Sequence, residues 1–353
     1  MPAARLFRLL RNPLVATALA AAVLGAVAGS WRWPYVMYGV GTAEPVHDRI
    51  ETGKPLEEKG AFLFTTVTTY PRPDTFSLLY GWLHPRMEVR GQREATGGTV
   101  NYEAYRNWDL WLRENAEAEA LIAAYSAAGI PVQVEQTGII IHHFLEMSRA
   151  RGNGLQEGDI ITAVDGRPTR SAEELAEILR DKSPGDIARV SGTRGGRPFE
   201  AEVPLVRLSD GRTGIGFLYR PVIKVTPPDP VEMNFSHMGG PSAGLMMTLE
   251  LVAHLTGEDL TRGYRIAGSG TISADGSVGP VGWLRYKLMA AHREKADYFL
   301  VPYVEAEGYG NWKEAEAAAR EFNLSPRLVP VSSLQEAIGF LRSLPPKTES
   351  AGE

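Results

Sequence analysis

The sequence predicts a mixed α/β protein that has one N-terminal transmembrane helix and a separate, mostly β unit in its middle. Three observations support this prediction. An uncharged apolar segment runs from Leu14 to Ser30. Helical and strand-like patterns alternate in residues 60–131 and again in 209–344, which is typical of an α/β domain. Residues 132–208 instead follow the order strand, turn, strand, helix and hairpin.

Composition and charge exclude several classes of function. The chain has 353 residues, enough for two domains, and its net charge of -5 gives no electrostatic reason to expect a nucleic acid partner. It has no cysteine, which excludes disulfides, thiolate zinc sites and cysteine nucleophiles. No metal site and no cofactor are predicted.

Residues 1–38 are predicted to be a cytoplasmic N-terminus and a membrane anchor. The apolar segment forms a helix of about 26 Å at about 1.5 Å per residue, which is at the short end for a spanning helix. Aromatic residues typical of an interfacial belt follow it: Trp31, Trp33, Tyr35 and Tyr38. Three arginines precede it and place the N-terminus in the cytoplasm and the rest outside: Arg5, Arg8 and Arg11.

A second interpretation of this segment stays open. Ala26-Val27-Ala28 fits the small-residue pattern of a signal-peptidase site, so the segment could be removed instead of retained. The retained anchor is preferred. It implies a single-pass protein of the cell membrane, with the lipid bilayer as a partner and the bulk of the chain outside the cytoplasm.

The segments before the middle unit are assigned in order. Residues 39–59 are polar and rich in turn residues, and they are predicted to be a juxtamembrane linker. Residues 60–131 are predicted to be the first segment of the α/β domain. Within it, "AFLFTTVTTY" (61–70) predicts a strand, "PRPDTFSLLYGWLHPR" (71–86) a loop, and residues 101–128 one or two helices.

The middle unit has two clear local patterns. "SAEELAEILRDKSPGD" (171–186) predicts a helix that Ser171 caps, with Glu174 completing a capping box. "ARVSGTRGGRPFEAEVPLV" (188–206) predicts a hairpin around "RGGR". At the other end of the chain, residues 345–353 are a polar tail.

Ser242, within "HMGGPSAGLMMTLELV" (237–252), is the candidate nucleophile. A serine hydroxyl needs a base to take its proton, and the oxyanion of an acyl intermediate needs hydrogen-bond donors. Glycines allow a substrate to approach the backbone closely, and free N–H groups at a helix start can serve as the donors. Gly240, Pro241 and Ala243 are therefore predicted to support the oxyanion.

Spacing alone leaves three other interpretations of this serine open. Ser242 could be only an N-cap before a buried helix. The string from Gly240 to Gly244 also fits the G-x-S-x-G elbow of α/β-hydrolases, which would need His292 as its histidine. His237 is near in sequence, but the spacing gives no reason for its ring to face Ser242.

Lys287 is the candidate base. "GTISADGSVGPVG" (270–282) predicts two strands around a turn at 274–276, and a helix follows from about 281 to 295. On that helix Lys287 shares a face with four apolar residues: Trp283, Leu284, Ala290 and Ala291. Burial there would lower its pKa from about 10.4 by about 3, which leaves a neutral amine that can act as a general base. A lysine that snorkels to water fits the same spacing.

The middle unit resembles a PDZ domain of the bacterial type. The stretch "GLQEGDIITAVDGRPTRSAEELAEIL" (154–179) carries the resemblance. Such domains bind a peptide C-terminus or an extended segment by adding it to a sheet edge. The resemblance implies a peptide groove that starts near Gly138, Ile139 and Ile140.

Two later stretches resemble the proteolytic domain of Lon proteases: "GGPSAGLMMTLELVAHLTG" (239–257) and "RIAGSGTISADGSVGPVGWLRYKLMAAHREKADYFLVP" (265–302). The resemblance implies a Ser–Lys dyad of Ser242 and Lys287, with Ser269 holding the lysine amine. It further implies a membrane-anchored Lon-like serine protease in which a PDZ domain (132–208) is inserted before the catalytic segment (209–344).

Further expectations follow from the resemblance. The chain lacks a G-x-x-x-x-G-K-[ST] phosphate loop, so cleavage without ATP of unfolded or PDZ-docked proteins and peptides is expected. Lon proteolytic domains tend to form hexamers, which implies a homo-oligomeric ring. Trp283 stands where a glycine is usual, and Arg285 where many Lon proteins have lysine. These departures leave open a PDZ scaffold with a degenerate, inactive protease domain.

Overall fold

A computed structural model gives the fold and describes residues 13–53, 56–95, 102–236, 238–304 and 310–348. The helices are α1 (Pro13–Ser30), α2 (Thr75–Leu83), α3 (Gln92–Ala95), α4 (Tyr102–Ala127), α5 (Ala172–Leu179), α6 (Gly244–Thr256), α7 (Leu284–Arg293), α8 (Asn311–Phe322) and α9 (Leu334–Ser343). The strands are β1 (Tyr35–Pro45), β2 (Ile50–Thr52), β3 (Ala61–Pro71), β4 (Met87–Gly91), β5 (Gln133–Phe144), β6 (Ile160–Val164), β7 (Arg167–Pro168), β8 (Ile187–Arg194), β9 (Arg197–Pro204), β10 (Val206–Arg207), β11 (Thr213–Gly214), β12 (Phe217–Thr226), β13 (Val231–Met233), β14 (Arg265–Gly268), β15 (Thr271–Ile272), β16 (Val278–Gly279), β17 (Tyr298–Pro302) and β18 (Arg327–Val331).

The described chain packs as two units whose borders differ from the predicted domains. Of the described residues, the first unit holds 13–41 and 67–95, and the second holds those of 42–66 and of 102–348. Residues 67–95 were predicted to belong to the first segment of the α/β domain, but they pack with the N-terminal residues.

The first unit contains the apolar N-terminal helix and a second helix that the sequence analysis missed. Helix α1 has a mean hydropathy of 1.8 with none of it buried, and within the described residues it is the one helix long and apolar enough to cross a membrane. Residues 71–86 were predicted to be a loop, which is wrong, because they contain α2. Asp74 caps this helix, since its Oδ1 accepts hydrogen bonds from the N–H groups of Phe76 and Ser77 at 3.0 and 2.9 Å.

The predicted juxtamembrane linker is largely structured. Residues 39–59 include the end of β1, a 3-10 turn (His47–Arg49) and strand β2, which pairs with β13. Val46 and Ile50 are 0% and 3% exposed and belong to the core of the second unit. The apolar residues of this segment are too few and too widely spaced to produce a recognisable strand or helix pattern.

A parallel sheet forms the centre of the α/β part of the second unit. Strands β3, β14, β17 and β18 pair in parallel in that order. Phe62, Phe64, Ile266 and Leu300 are fully buried, as expected for strands covered on both faces. Helix α6 is buried from Gly244 to Ala253 and packs in the same core.

The middle unit is a β-sheet with one helix, as the sequence predicted. Its strand order is β12-β5-β6-β8-β9, and β8 and β9 form the predicted hairpin. Ser171 caps α5 by accepting a hydrogen bond from the N–H of Glu174 at 3.2 Å. The carboxylate of Glu174 bonds to the N–H of Arg170 at 2.6 Å, so the capping box closes one residue earlier than predicted.

Helix α4 joins this sheet to the rest of the second unit. The ring of Trp108 stacks on that of His142 in β5, with centroids 4.5 Å apart. Gly158 lies so close to α4 that a Cβ there would be 3.0 Å from the Ala104 carbonyl oxygen. The next residue of the helix after Trp108, Asp109, contacts the loop that carries Ser242.

The segment before α7 is held by a buried asparagine. Asn311, at the start of α8, is 4% exposed. Its Oδ1 accepts a hydrogen bond from the N–H of Val281 at 2.9 Å, and its Nδ2 donates to the Val281 carbonyl at 2.8 Å. These two bonds attach α8 to the chain that leads into α7.

We expect Asn311→Ala to lower the free energy of unfolding by about 2–3 kcal/mol, because it leaves a buried N–H and a buried carbonyl without partners. Urea unfolding followed by tryptophan fluorescence measures the change. The exposed Lys313→Ala in the same helix is the control. Equal midpoints for the two variants would contradict the assigned role of Asn311.

Candidate active site

Ser242 lies in the turn immediately before α6. The N-cap of this helix is Ala243, and no side chain caps it, so the interpretation of Ser242 as an N-cap is wrong. The carbonyl of Ser242 accepts hydrogen bonds from the N–H of Gly270 at 2.9 Å and from Ser269 Oγ at 3.1 Å. Within the described residues, the N–H groups of Ser242 and Ala243 have no acceptor, so they can donate to a bound group.

The glycines around Ser242 are required by close contacts. Gly240 has a φ of +76°, in the left-handed region that favours glycine. A Cβ on Gly239 would overlap Oδ2 of Asp109, and a Cβ on Gly244 would lie 2.9 Å from Cγ2 of Ile272. Asp109 and Ile272 therefore both pack closely against the turn, which leaves no room for a side chain at Gly239 or Gly244.

Lys287 is buried, as its position on the apolar face of the predicted helix indicated. It is 4% exposed, and burial lowers its pKa to about 7, while the charge of Glu314 acts in the opposite direction. Its Nζ donates a hydrogen bond to Ser269 Oγ at 3.0 Å. The snorkelling interpretation is therefore wrong.

Ser269 connects the two candidate residues. The hydrogen bonds run from Lys287 Nζ to Ser269 Oγ and from that hydroxyl to the carbonyl of Ser242. Within the described residues, no hydrogen bond joins Lys287 Nζ directly to Ser242 Oγ. Ser269 is fully buried, so water does not compete for these bonds.

Helix α7 is shorter than predicted and begins after an unusual residue. Trp283 has a φ of 62° and a ψ of 33°, which is a left-handed conformation that favours glycine. Its carbonyl accepts a hydrogen bond from the N–H of Tyr286 at 3.1 Å. The tryptophan therefore takes the backbone conformation that a glycine would adopt more easily, and α7 begins at the next residue.

Two acidic residues near this site were not predicted. Asp109 lies beside Gly239 and Gly240, and burial raises the pKa of its carboxyl group. Glu314 accepts a hydrogen bond from the N–H of Arg285 at 3.1 Å and acts electrostatically on Lys287. Both residues are far in sequence from the residues that they contact, and neither belongs to a recognisable motif. No local sequence pattern therefore indicates their role.

Within the described residues, His292, the histidine that a hydrolase triad would need, has no hydrogen bond to Ser242. His292 Nδ1 lies 2.9 Å from Ser325 Oγ, on the segment that follows α8. Its interaction is with that segment, on the side of α7 away from Lys287. His237 lies outside the described residues.

The predicted peptide groove at Gly138, Ile139 and Ile140 is wrong, because β5 is an inner strand. This segment pairs with β12 on one side, and Ile139 and Ile140 pair with β6 on the other. Its backbone groups are therefore not available for an added strand. A cavity of about 570 Å³ lies instead between α5 and the chain from Gly214 to Phe217.

Comparisons with known proteins agree with this arrangement of domains. Residues 126–205 match the PDZ domain family, and residues 236–336 match the Lon protease (S16) C-terminal proteolytic domain. The Lon protease of Haemophilus influenzae is 28% identical over 192 residues, which is 54% of this chain and 21% of that protein. The Lon protease of Chloroflexus aggregans is 35% identical over 106 residues, which is 30% of this chain and 12% of that protein.

A third relative matches a shorter part of the chain. The periplasmic pH-dependent serine endoprotease DegQ of Escherichia coli is 34% identical over 70 residues, which is 20% of this chain and 15% of that protein. The matched segments therefore span about one fifth or less of the length of all three relatives.

We expect Lys287→Met to stabilise the fold in a pH-dependent way. The pKa of Lys287 is lowered to about 7 in the folded chain and is about 10.4 when unfolded. Between these values the unfolded chain binds the extra proton, so stability rises with pH. The penalty is complete below about pH 7 and disappears near pH 10.4. It amounts to about 4 kcal/mol at pH 7.5 and about 1.3 kcal/mol at pH 9.5.

The measurement is urea unfolding of both chains at these two pH values. Lys287→Met should gain most at pH 7.5 and much less at pH 9.5. Lys224→Met, at an exposed position of β12, is the control and should show no such trend. A gain that does not change with pH would mean that Lys287 is charged in the folded chain.

Proposed function

We propose that this chain, which is a PDZ-containing Lon-like protease, is an endopeptidase whose catalytic dyad is Ser242 and Lys287. The observation that carries the proposal is the buried amine of Lys287, which bonds to the hydroxyl that also bonds to the backbone of Ser242. A lysine amine that is neutral near pH 7 can take a proton from a serine hydroxyl.

In the proposed mechanism Ser242 Oγ attacks the carbonyl carbon of the scissile peptide bond. The hydroxyl proton passes to Lys287 Nζ, and the N–H groups of Ser242 and Ala243 donate to the oxyanion. Lys287 then gives this proton to the leaving amine as the C–N bond breaks. In the second half a water molecule attacks the acyl group, Lys287 takes its proton, and that proton returns to Ser242 Oγ as the ester bond breaks.

Ser269 and Glu314 are positioning residues in this mechanism. Ser269 accepts one N–H of the lysine and thereby fixes where the amine nitrogen lies. Glu314 favours the protonated lysine, which offsets part of the burial and keeps its pKa near 7. Both effects favour a base that gains and loses a proton near neutral pH.

We also propose that the chain is anchored in a membrane through α1, with its larger unit outside the cytoplasm. Within the first unit, α2 exposes large apolar and aromatic side chains: Phe76 at 56%, Tyr80 at 56%, Trp82 at 58% and Leu83 at 84%. Aromatic residues of this kind are typical of the bilayer interface. The periplasmic location in the name of the relative DegQ fits the same placement.

The proposed peptide site of the PDZ domain is the cavity beside α5. Leu175 and Ala176 of α5 face Ile215 and Phe217 across it, and these side chains suit an apolar peptide residue. Arg180 and Arg212 also line the cavity, and Arg212 already pairs with Asp210. Arg180, the C-cap residue of α5, offers positive charge for a C-terminal carboxylate. The ligand proposed for this site is therefore a free C-terminus that ends in an apolar residue.

We expect the full chain in detergent to cleave unfolded casein without added ATP, with Ser242→Ala and Lys287→Ala each at least about 10³-fold lower in kcat/KM. The activity should rise with pH through an apparent pKa near 7, because the lysine must be neutral. Peptide release, measured with and without ATP, tests all three points.

His292→Ala is the control for this experiment and should retain activity. Loss of activity in His292→Ala alone would support a hydrolase triad instead. Binding of peptides with no cleavage by any chain would support the inactive PDZ scaffold.

We expect Ala176→Glu to weaken binding of a free C-terminal peptide at least about 10-fold, because it places a charged side chain among the apolar side chains that line the cavity. Fluorescence anisotropy of a labelled peptide with an apolar last residue measures the affinity. Ala317→Glu, at an exposed position of α8, is the matched control. Equal binding of the amidated peptide would show that no terminal carboxylate is recognised in this cavity.

A further inference from the structure

Three side chains of the types that can bind a metal ion lie close together beside α6, about two turns after Ser242. His47 comes from the 3-10 turn, Glu58 from the segment before β3, and Glu250 from α6. One ligand atom from each of these residues lies within 4.8 Å of the others. His47 and Glu250 are more than 200 positions apart in the sequence. No short motif with metal-ligand spacing therefore indicates this cluster.

Three carboxylate oxygens of these side chains are buried without hydrogen-bond partners among the described residues. Glu250 is 0% exposed, and its Oε2 has no partner among the described residues. The side chain of Glu58 is 7% exposed, and neither of its carboxylate oxygens has a hydrogen bond. Two neighbouring carboxylates with three unpaired oxygens are costly in a buried place, because those oxygens have lost their hydration and the two groups repel each other.

The pKa of Glu58 reflects this unfavourable burial of carboxyl groups. Burial, together with the charges of Glu250 and Asp259, raises the pKa of Glu58 to about 8. The charge of His254 acts in the opposite direction. Nδ1 of His47 lies 3.8 Å from Glu58 Oε2, which is too long for a hydrogen bond. A positively charged ligand between the three residues would remove the repulsion.

Other side chains contact Glu250 and His47, as the outer partners of ligands do in metal sites. Oε1 of Glu250 lies 3.2 Å from Nε2 of His254, and Nδ1 of His254 lies 3.0 Å from Oγ1 of Thr52. His47 presents Nδ1 towards Glu58, while its Nε2 lies 3.5 Å from Oδ1 of Asp48. A carboxylate behind a ligating histidine is typical of metal sites, where it fixes the orientation of the ring.

We propose that His47, Glu58 and Glu250 bind one divalent metal ion, with Zn²⁺ favoured by the donor set. An imidazole nitrogen with carboxylate oxygens is a common zinc set, whereas Ca²⁺ and Mg²⁺ prefer oxygen donors alone. In tetrahedral zinc with bonds of about 2.1 Å, neighbouring ligand atoms lie about 3.4 Å apart. His47 Nδ1 and Glu58 Oε2 are already 3.8 Å apart, and all three ligand atoms lie within 4.8 Å of one another. Side-chain shifts of up to about 1.4 Å would therefore bring the three residues to zinc-binding distances.

The proposed ion has a structural role. It would join the 3-10 turn and the segment before β3 to α6, the helix that begins beside Ser242. It supplies no step of the proposed proteolysis, because its ligands are not among the residues around Ser242 and Lys287. The inference therefore stands or falls independently of the proposed activity.

Zinc binding to the full chain in detergent tests this site. The chain is stripped with a chelator, and Zn²⁺ is then titrated against a chromophoric competitor. We expect one equivalent to bind and the melting temperature to rise by about 5 °C. Glu58→Gln and Glu250→Gln should each weaken zinc binding at least about 100-fold. Glu57→Gln changes the neighbouring exposed carboxylate and should bind zinc as the unchanged chain does.

Melting in chelator separates the loss of a ligand from a failure to fold. Without metal, Glu58→Gln replaces a buried carboxyl group that has no hydrogen-bond partner, so it should melt at or above the temperature of the unchanged chain. With zinc, only the unchanged chain and Glu57→Gln should gain. Less than about 0.1 equivalent of bound zinc, or equal binding by Glu58→Gln and the unchanged chain, would overturn the proposal.

Discussion

The amine of Lys287 lies where water does not reach it, and the surrounding elements are arranged to hold it there. Its hydrogen bond to Ser269 replaces part of its lost hydration. Glu314 lies in α8, the helix that Asn311 attaches to the chain leading into α7. If the packing of α8 against α7 were loosened, water would reach the amine and its pKa would return towards the usual value for lysine. The proton affinity of the candidate base is therefore a property of the fold rather than of the lysine alone.

Local sequence patterns predicted the parts of this site that depend on neighbouring residues. The buried face of α7, the strands around Asp275 and the small residues around Ser242 are all visible within short windows of the chain. Contacts between distant segments were not visible. Asp109 touches Gly239 across about 130 positions, and the pairing of β12 with β5, which removes the predicted groove, joins segments on either side of the hairpin. Helix α2 was missed for a different reason, because the prolines around it are as compatible with a loop as with the start and end of a short helix.

Helix α6 has two polar features that are unusual in a core helix. At its start, N–H groups without acceptors surround Ser242, where negative charge is favourable. Two turns further along, Glu250 places a carboxyl group in the core close to that of Glu58. The rest of the buried part of the helix is apolar or forms internal hydrogen bonds, as Thr248 does with the Gly244 carbonyl at 2.8 Å. The departures from an ordinary core helix are thus concentrated at two places, and each is a place where chemistry has been inferred.

The PDZ domain is built into this protein more firmly than a module on a flexible tether. Trp108 and Asn107 of α4 pack against it, while Asp109 of the same helical turn lies against the loop before Ser242. Strand β12 completes the PDZ sheet, although it lies beyond the residues that match the PDZ family. Excising residues 132–208 would uncover one side of α4 and leave β12 without its neighbour. The contacts of α4 and β12 with the PDZ domain therefore make it part of the scaffold that supports the loop before Ser242, apart from any role in peptide binding.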